Sequence, residues 1–153
     1  ERRTMPRHFE DIEPNETHEL GEWTVSESEI VEFAERYDPQ SFHVDPDAAE
    51  ASIYGGLIAS GWQTVALTMR TMVEGFLADV ACMGARGIDD LRWKRPVRPR
   101  DRVRTRLRVL GTDAGDGNPT LGDVRAETVG ENGDGEVVVS WVNNFLVRRA
   151  EAE

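Results

Sequence analysis

The feature that most constrains this chain is a change of hydrophobic period near its middle. Residues 60–78 carry apolar side chains on most sides (Val65, Ala66, Leu67, Met69, Met72, Val73, Phe76 and Leu77), the pattern of a helix surrounded by protein. After Gly84 the pattern alternates with a period of two, as strands that bury one face do. Segments 88–94, 103–109, 121–129 and 136–147 read as four strands. In the second, Val103, Thr105, Leu107 and Val109 are interleaved with Arg102, Arg104, Arg106 and Arg108. The turn-rich segment 111–118 and the hairpin loop 131–135 separate the later strands. One buried helix followed by consecutive antiparallel strands predicts an α+β fold in which the sheet wraps the helix. Gln63, Arg70, Glu74 and Asp79 interrupt the apolar stretch, so it reads as a buried helix and not a membrane span.

Upstream, residues 1–15 read as an N-terminal arm and residues 18–25 as a short strand. Ser26-Glu27-Ser28-Glu29 has the spacing of a capping box, and Ile30, Phe33, Ala34 and Tyr37 follow on one helical face. Pro39 pushes Asp38 out of the helical region and ends that helix at about Tyr37. Asp45 as cap and Pro46 in the first position announce another helix. With 153 residues the chain reads as a single domain, 1–153, able to bury roughly 70% of the surface it would expose unfolded.

Charge bounds the partners. There are 29 acidic and 18 basic side chains, for a formal charge of -11, and Lys94 is the sole lysine. Such a surface argues against nucleic acid as a partner. The single cysteine, Cys82, forms no intramolecular disulfide and reads as a small core residue, and the chain does not start with a signal pattern. A cytoplasmic protein without membrane partner is the expectation. No second histidine stands at ligand spacing from His43, so no metal is expected; His8 and His18 read as solvated or packed.

Asp38-Pro39-Gln40-Ser41-Phe42-His43-Val44-Asp45 places an acid and an imidazole on the short connection between two helices, and Gly55-Gly56-Leu57-Ile58-Ala59-Ser60-Gly61 leads into the central helix. Adding water to a carbonyl-conjugated double bond needs a base for the water proton, an acid for the alpha carbon and a donor for the enolate oxygen. Histidine titrates near neutrality and serves in both directions. A helix start supplies unpaired N–H groups and partial positive charge. Asp38, His43 and Gly61 are therefore the catalytic candidates, the first two sharing one water and the third offering its N–H. Asp45 is explained by capping and stays outside the set.

These residues resemble the MaoC-like hydratases and dehydratases, whose signature is an Asp, an Asn-Pro two residues later, a His five after the Asp, and a Gly-containing segment opening the central helix. The chain has Gln40-Ser41 at the Asn-Pro position, and the place of a helix serine found in active members falls on Met69. Residues 93–101 resemble the family's strand-to-strand segment. The resemblance implies a hot-dog fold, a coenzyme A thioester as substrate with no cofactor, and reversible hydration of trans-2-enoyl to (R)-3-hydroxyacyl thioesters. Gln40, Phe42, Tyr54, Gly56, Ile58 and Trp62 are the candidates for substrate contact.

Nine of the basic residues lie between Arg92 and Arg108 with only Asp101 opposing them. Lys94, Arg95 and Arg98 are the candidates for coenzyme phosphates. The alternating arginines from 102 to 108 read as a solvated strand face paired with Asp123 or Glu127. An open sheet edge and acyl pocket predict a homodimer or dimer-based oligomer. The enzymatic rival is a thioesterase using Glu74, and the non-enzymatic one a module that only holds acyl-CoA.

Overall fold

The computed structural model describes residues 5–115 and 117–150; residues 1–4 of the N-terminal arm and residue 116 of the turn-rich segment lie outside them. Strand β1 (Thr17–Thr24) precedes three helices, α1 (Glu27–Tyr37), α2 (Ser41–Val44) and α3 (Pro46–Glu50), and then the long helix α4 (Gly61–Gly75). Strands β2 (Cys82–Trp93), β3 (Arg102–Asp113), β4 (Leu121–Glu131) and β5 (Val137–Arg148) follow. All pairings are antiparallel, in the order β1-β3-β4-β5-β2.

Both edge strands reach the same helix, which shows how strongly the sheet curves. Trp23 on β1 donates its indole N–H to Thr68 Oγ1 at 3.1 Å, and Trp93 on β2 donates to the Gly61 carbonyl at 2.8 Å. Between them Thr71 donates to Thr105 on β3 at 2.9 Å, and Thr128 on β4 donates to Met72 Sδ. This is the α+β hot-dog architecture, an antiparallel sheet wrapped on one long helix.

The local signals act where the sequence puts them. Ser26 accepts from the Glu29 N–H at 3.1 Å while Glu29 accepts from the Ser26 N–H at 3.0 Å, closing the capping box of α1. Asp45 caps α3 by accepting from Asp47 and Ala48, with Pro46 in the first turn. On β3, Val103, Thr105, Leu107 and Val109 are buried and the intervening arginines exposed. Their partners partly differ from those expected. Arg108 stands opposite Glu127, but Arg106 pairs with Glu131, Arg102 with Glu22, and Asp123 takes Arg86. The arm is no loose segment in its described part: Phe9 and Ile12 join the core.

Two expectations need correction. Strand β2 begins at Cys82, not at residue 88, because Gly84 and Gly87, with φ of 136° and 156°, sit in a strand that bulges against β5 instead of breaking it. The central helix is also not enclosed on all sides. It buries Gln63, Thr64, Thr68, Thr71 and Met72 against the sheet and α1, whereas Trp62, Ala66, Met69 and Val73 form an exposed stripe at spacings of four, three and four. Threonines serve on the buried face where the hydroxyl finds a partner, as Thr68 does with the Thr64 carbonyl at 2.8 Å and Thr71 with the Thr68 carbonyl at 2.7 Å.

Gly75 ends α4 where it passes β1, and a methyl group there would meet the Leu20 carbonyl oxygen at 2.7 Å and its Cα at 2.9 Å. Overpacking against rigid backbone costs about 1–3 kcal/mol, against a helix-propensity gain of at most about 1 kcal/mol. Gly75→Ala is therefore expected to lower the urea midpoint of unfolding; an unchanged or higher midpoint would show that α4 is not seated this closely.

Candidate active site

Asp38 sits at the C-terminal cap of α1 with φ -156° and ψ 68°, outside the helical region as the following proline requires. Its backbone N–H still donates to the Ala34 carbonyl at 2.8 Å, so the last turn of α1 fixes where the side chain starts. Two donors then fix where it ends. Ser60 Oγ donates to Oδ2 and Gln40 Nε2 donates to Oδ1, both at 2.7 Å.

His43 lies on α2 and is 4% exposed. Its Nδ1 is 2.7 Å from the carbonyl oxygen of Ile58. A carbonyl only accepts, so Nδ1 carries a proton, and Nε2 is the nitrogen left to face the site. That nitrogen is 3.3 Å from Asp38 Oδ2. The edge of the Phe42 ring packs on the imidazole, with centroids 4.6 Å apart, and the Ile58 N–H returns to the Phe42 carbonyl at 3.2 Å. Segment 55–60 and the α2 turn thus lock each other.

Electrostatics follow from these contacts. Burial pushes the Asp38 carboxyl upward, but the hydrogen bonds from Gln40 and Ser60 and the charge of His43 together outweigh it and hold the group below its ordinary value. The carboxylate is charged at neutral pH, and its Oδ2 faces Nε2 of His43. Both groups border the same cavity, so one water in front of them can contact the two together.

Ser60 is the N-cap of α4 and accepts from the Trp62 N–H at 3.3 Å, while Thr64 N–H donates to the Ser60 carbonyl at 3.1 Å. The Gly61 N–H, first in the helix, has no acceptor among the described residues. Glycine at this position also has a packing reason that the sequence did not reveal. A Cβ on Gly61 would lie 2.5 Å from the Trp93 indole, which stacks edge-on to Trp62 with centroids 5.1 Å apart.

A cavity of about 410 Å³ opens in front of these groups. Asp38, Gln40, Phe42, His43, Tyr54, Ile58, Gly61, Trp62, Lys94 and Arg95 line it, together with Thr64, Trp93 and Val97. Gly56 and Arg98 stand outside it. Arg98 donates to the Tyr54 carbonyl at 2.6 Å and would lie 3.3 Å from a Cβ on Gly56, bracing that turn from behind. Met69 is 40% exposed on the outer stripe of α4 and does not reach the cavity. It is eight residues beyond Gly61, about 12 Å along the axis. The serine hydroxyl in contact with Asp38 is that of Ser60, at the very start of the helix. Glu74 lies near the other end, exposed and bonded to Arg70 at 2.9 Å.

Comparison with known proteins identifies the family. The family described as MaoC like domain matches residues 11–132. The crystal structure of a MaoC-like dehydratase from Rhodospirillum rubrum superposes with a TM-score of 0.87 at 33% identity, covering 95% of this chain and 99% of that one. A protein described as a monoamine oxidase regulatory protein, from an Archaeoglobus species, superposes with a TM-score of 0.88 at 26% identity, covering 97% and 98%. Among curated sequences, the uncharacterized protein YdeM of Bacillus subtilis is 37% identical over 87 residues, which are 56% of this chain and 61% of that protein. The 3-hydroxyacyl-thioester dehydratase Z of Mycobacterium tuberculosis is 32% identical over 97 residues, 61% of this chain and 64% of that protein. The matches thus span less than two thirds of these curated relatives. The family match, in contrast, runs from Asp11 through β4 and takes in every group that touches Asp38 and His43, and the chain belongs to the MaoC-like family.

Proposed function

We propose that this chain reversibly adds water across the double bond of a trans-2-enoyl thioester, giving a 3-hydroxyacyl thioester. The observation that carries this reading is the commitment of His43 Nδ1 to the Ile58 carbonyl, which leaves Nε2 as the nitrogen beside the Asp38 carboxylate in the cavity. His43 takes a proton from the shared water, the water oxygen bonds to the beta carbon, and the displaced electron pair moves to the thioester oxygen. The Gly61 N–H at the start of α4 receives that enolate oxygen. The proton held by the dyad then passes to the alpha carbon, so the two parts of one water end on the two carbons. Likeness to a protein named as a 3-hydroxyacyl-thioester dehydratase supports the substrate class. The (R) configuration and coenzyme A as the carrier follow from the family resemblance.

Glu74 weakens the thioesterase alternative, because its carboxylate is held by Arg70 away from the cavity. Mixing the protein with crotonyl-CoA and following both enoyl absorbance and free thiol separates the readings. Loss of absorbance without thiol is expected; release of thiol, or saturable binding with neither signal, would overturn hydration.

A second copy of the chain completes the assembly in this reading. The stripe of Trp62, Ala66, Met69 and Val73 has the spacing of a helix contact seam. Its three large members are 56%, 40% and 41% exposed. Through the Trp62–Trp93 contact it runs to the cavity rim, so a partner helix seated there also closes one side of the site. Wild type is expected to sediment as a dimer and Met69→Glu/Val73→Glu as a monomer; a monomeric wild type, or a variant that stays dimeric, would contradict this interface.

Asp38→Asn and His43→Ala are each expected to lower the hydration rate by about 100- to 10,000-fold while retaining the wild-type circular dichroism spectrum. Either variant turning over crotonyl-CoA at wild-type speed would refute the assignment.

The pH dependence of Asp38 has a definite sign. A folded value below the unfolded one of about 3.9 means that its contribution to stability is complete above that pH and disappears as pH falls through the folded value. Removing a donor to Oδ2 takes away part of the downward pull. The Asp38 carboxyl carbon resonance is therefore expected to titrate at higher pH in Ser60→Ala than in wild type, and an unmoved midpoint would contradict the role given to Ser60.

A further inference from the structure

The buried threonines of α4 do not all use their hydroxyls in the same way. A helical threonine commonly returns its hydroxyl to the carbonyl three or four residues back. Thr68 does so with the Thr64 carbonyl and also receives the Trp23 indole N–H, and the Thr71 hydroxyl lies 2.7 Å from the Thr68 carbonyl. Thr64 is as deeply buried, at 3% exposed, and lines the catalytic cavity. Its backbone N–H is bonded to the Ser60 carbonyl at 3.1 Å, yet its hydroxyl has no hydrogen-bond partner among the described residues.

That hydroxyl is not walled in. Among the described residues the one side-chain polar atom sealed off without a partner is Gln63 Oε1, whose amide N–H bonds to α1. The Thr64 oxygen is unpartnered without being sealed, so it opens on the cavity whose wall Thr64 forms.

Its place on the helix narrows what it can meet. Thr64 follows Gly61 by three residues, about 4.5 Å along the axis. Residues three apart share a helix face, and helical side chains lean toward the N-terminus, which carries the Thr64 hydroxyl back over the first turn. There the Gly61 N–H is also without an acceptor, and both residues line the cavity with Asp38 and His43.

We propose that the Thr64 hydroxyl donates a second hydrogen bond to the thioester oxygen, beside the Gly61 N–H. Charge gathers on that oxygen as the water oxygen bonds to the beta carbon, and two fixed donors hold it better than one. A hydroxyl with no protein acceptor breaks no bond in order to donate. Valine has nearly the same shape and leaves no unpaired polar group in a buried place, so stability gives no reason for threonine here. The proposal rests on the thioester reading above.

Kinetics, stability and spectroscopy together test it. Thr64→Val is expected to lower kcat for crotonyl-CoA hydration about 100- to 1000-fold with little change in KM, and Thr64→Ser to keep most of the activity. The valine variant should unfold at the wild-type temperature or above it, whereas a hydroxyl with a structural role would make it unfold lower. The third readout needs no turnover. Crotonyl-CoA with an isotopic label at its thioester carbonyl is bound to His43→Ala and to His43→Ala/Thr64→Val, and the carbonyl stretch is read by difference infrared spectroscopy. A hydrogen bond weakens the carbonyl, so the band should lie at lower frequency when Thr64 is present. Equal band positions, a wild-type kcat in Thr64→Val, or a raised KM at unchanged kcat would each overturn the assignment. An inert wild type whose carbonyl band still depends on Thr64 would sink the proposed reaction and retain this contact.

Discussion

The carboxylate of Asp38 joins the last turn of one helix to the first turn of another, and the arrangement of the site depends on that junction. It grows from the C-terminal end of α1, accepts from the N-cap hydroxyl of α4 and from Gln40 on the intervening connection, and stands beside the imidazole carried by α2. Ser60 is wholly buried, so its hydroxyl has no competing water and both its bonds are spent on the junction and the helix start. His43 is held independently by the Ile58 carbonyl. An acid and a base fixed from different directions keep a separation of 3.3 Å and both border the cavity, where one water in front of them can meet the two.

Much of this was legible where the signal is local. Ser26 and Glu29 mark the start of α1, Pro39 its end and Asp45-Pro46 the start of α3, because each acts on backbone within four residues of itself. Asp38 and His43 lie on one connection, so their spacing alone brings them near. Ser60 is 22 positions from Asp38, and nothing local in the sequence says that its hydroxyl turns to that carboxylate instead of only capping its own helix. Trp93 was hidden for the same reason. It meets Gly61 only once β2 has become the edge of the curled sheet.

The central helix shows how a correct element can carry an inverted reading of its faces. Its apolar residues suggested burial all round, yet the sheet side holds Gln63, Thr64, Thr68 and Thr71 beside Met72, with the Gln63 amide N–H bonded to α1 and the Thr68 and Thr71 hydroxyls bonded to their own helix and to β3. The apolar residues Trp62, Met69 and Val73 face outward instead. Hydropathy counts side chains and cannot count the hydrogen bonds that make a threonine welcome inside. The arginines between strands β2 and β3 brace the fold where a carboxylate or carbonyl lies near, as Arg95 does with Glu136 and Arg98 with the Tyr54 carbonyl.

If Asp38 and His43 act on one water, neither works without the other. The most direct measurement is a double-mutant cycle on kcat/KM for enoyl thioester hydration with Asp38→Asn, His43→Ala and the double variant. One shared water predicts a double variant no slower than the slower single variant. Losses that multiply, so that the double variant is slower by the product of the two single effects, would show two independent groups and contradict the account.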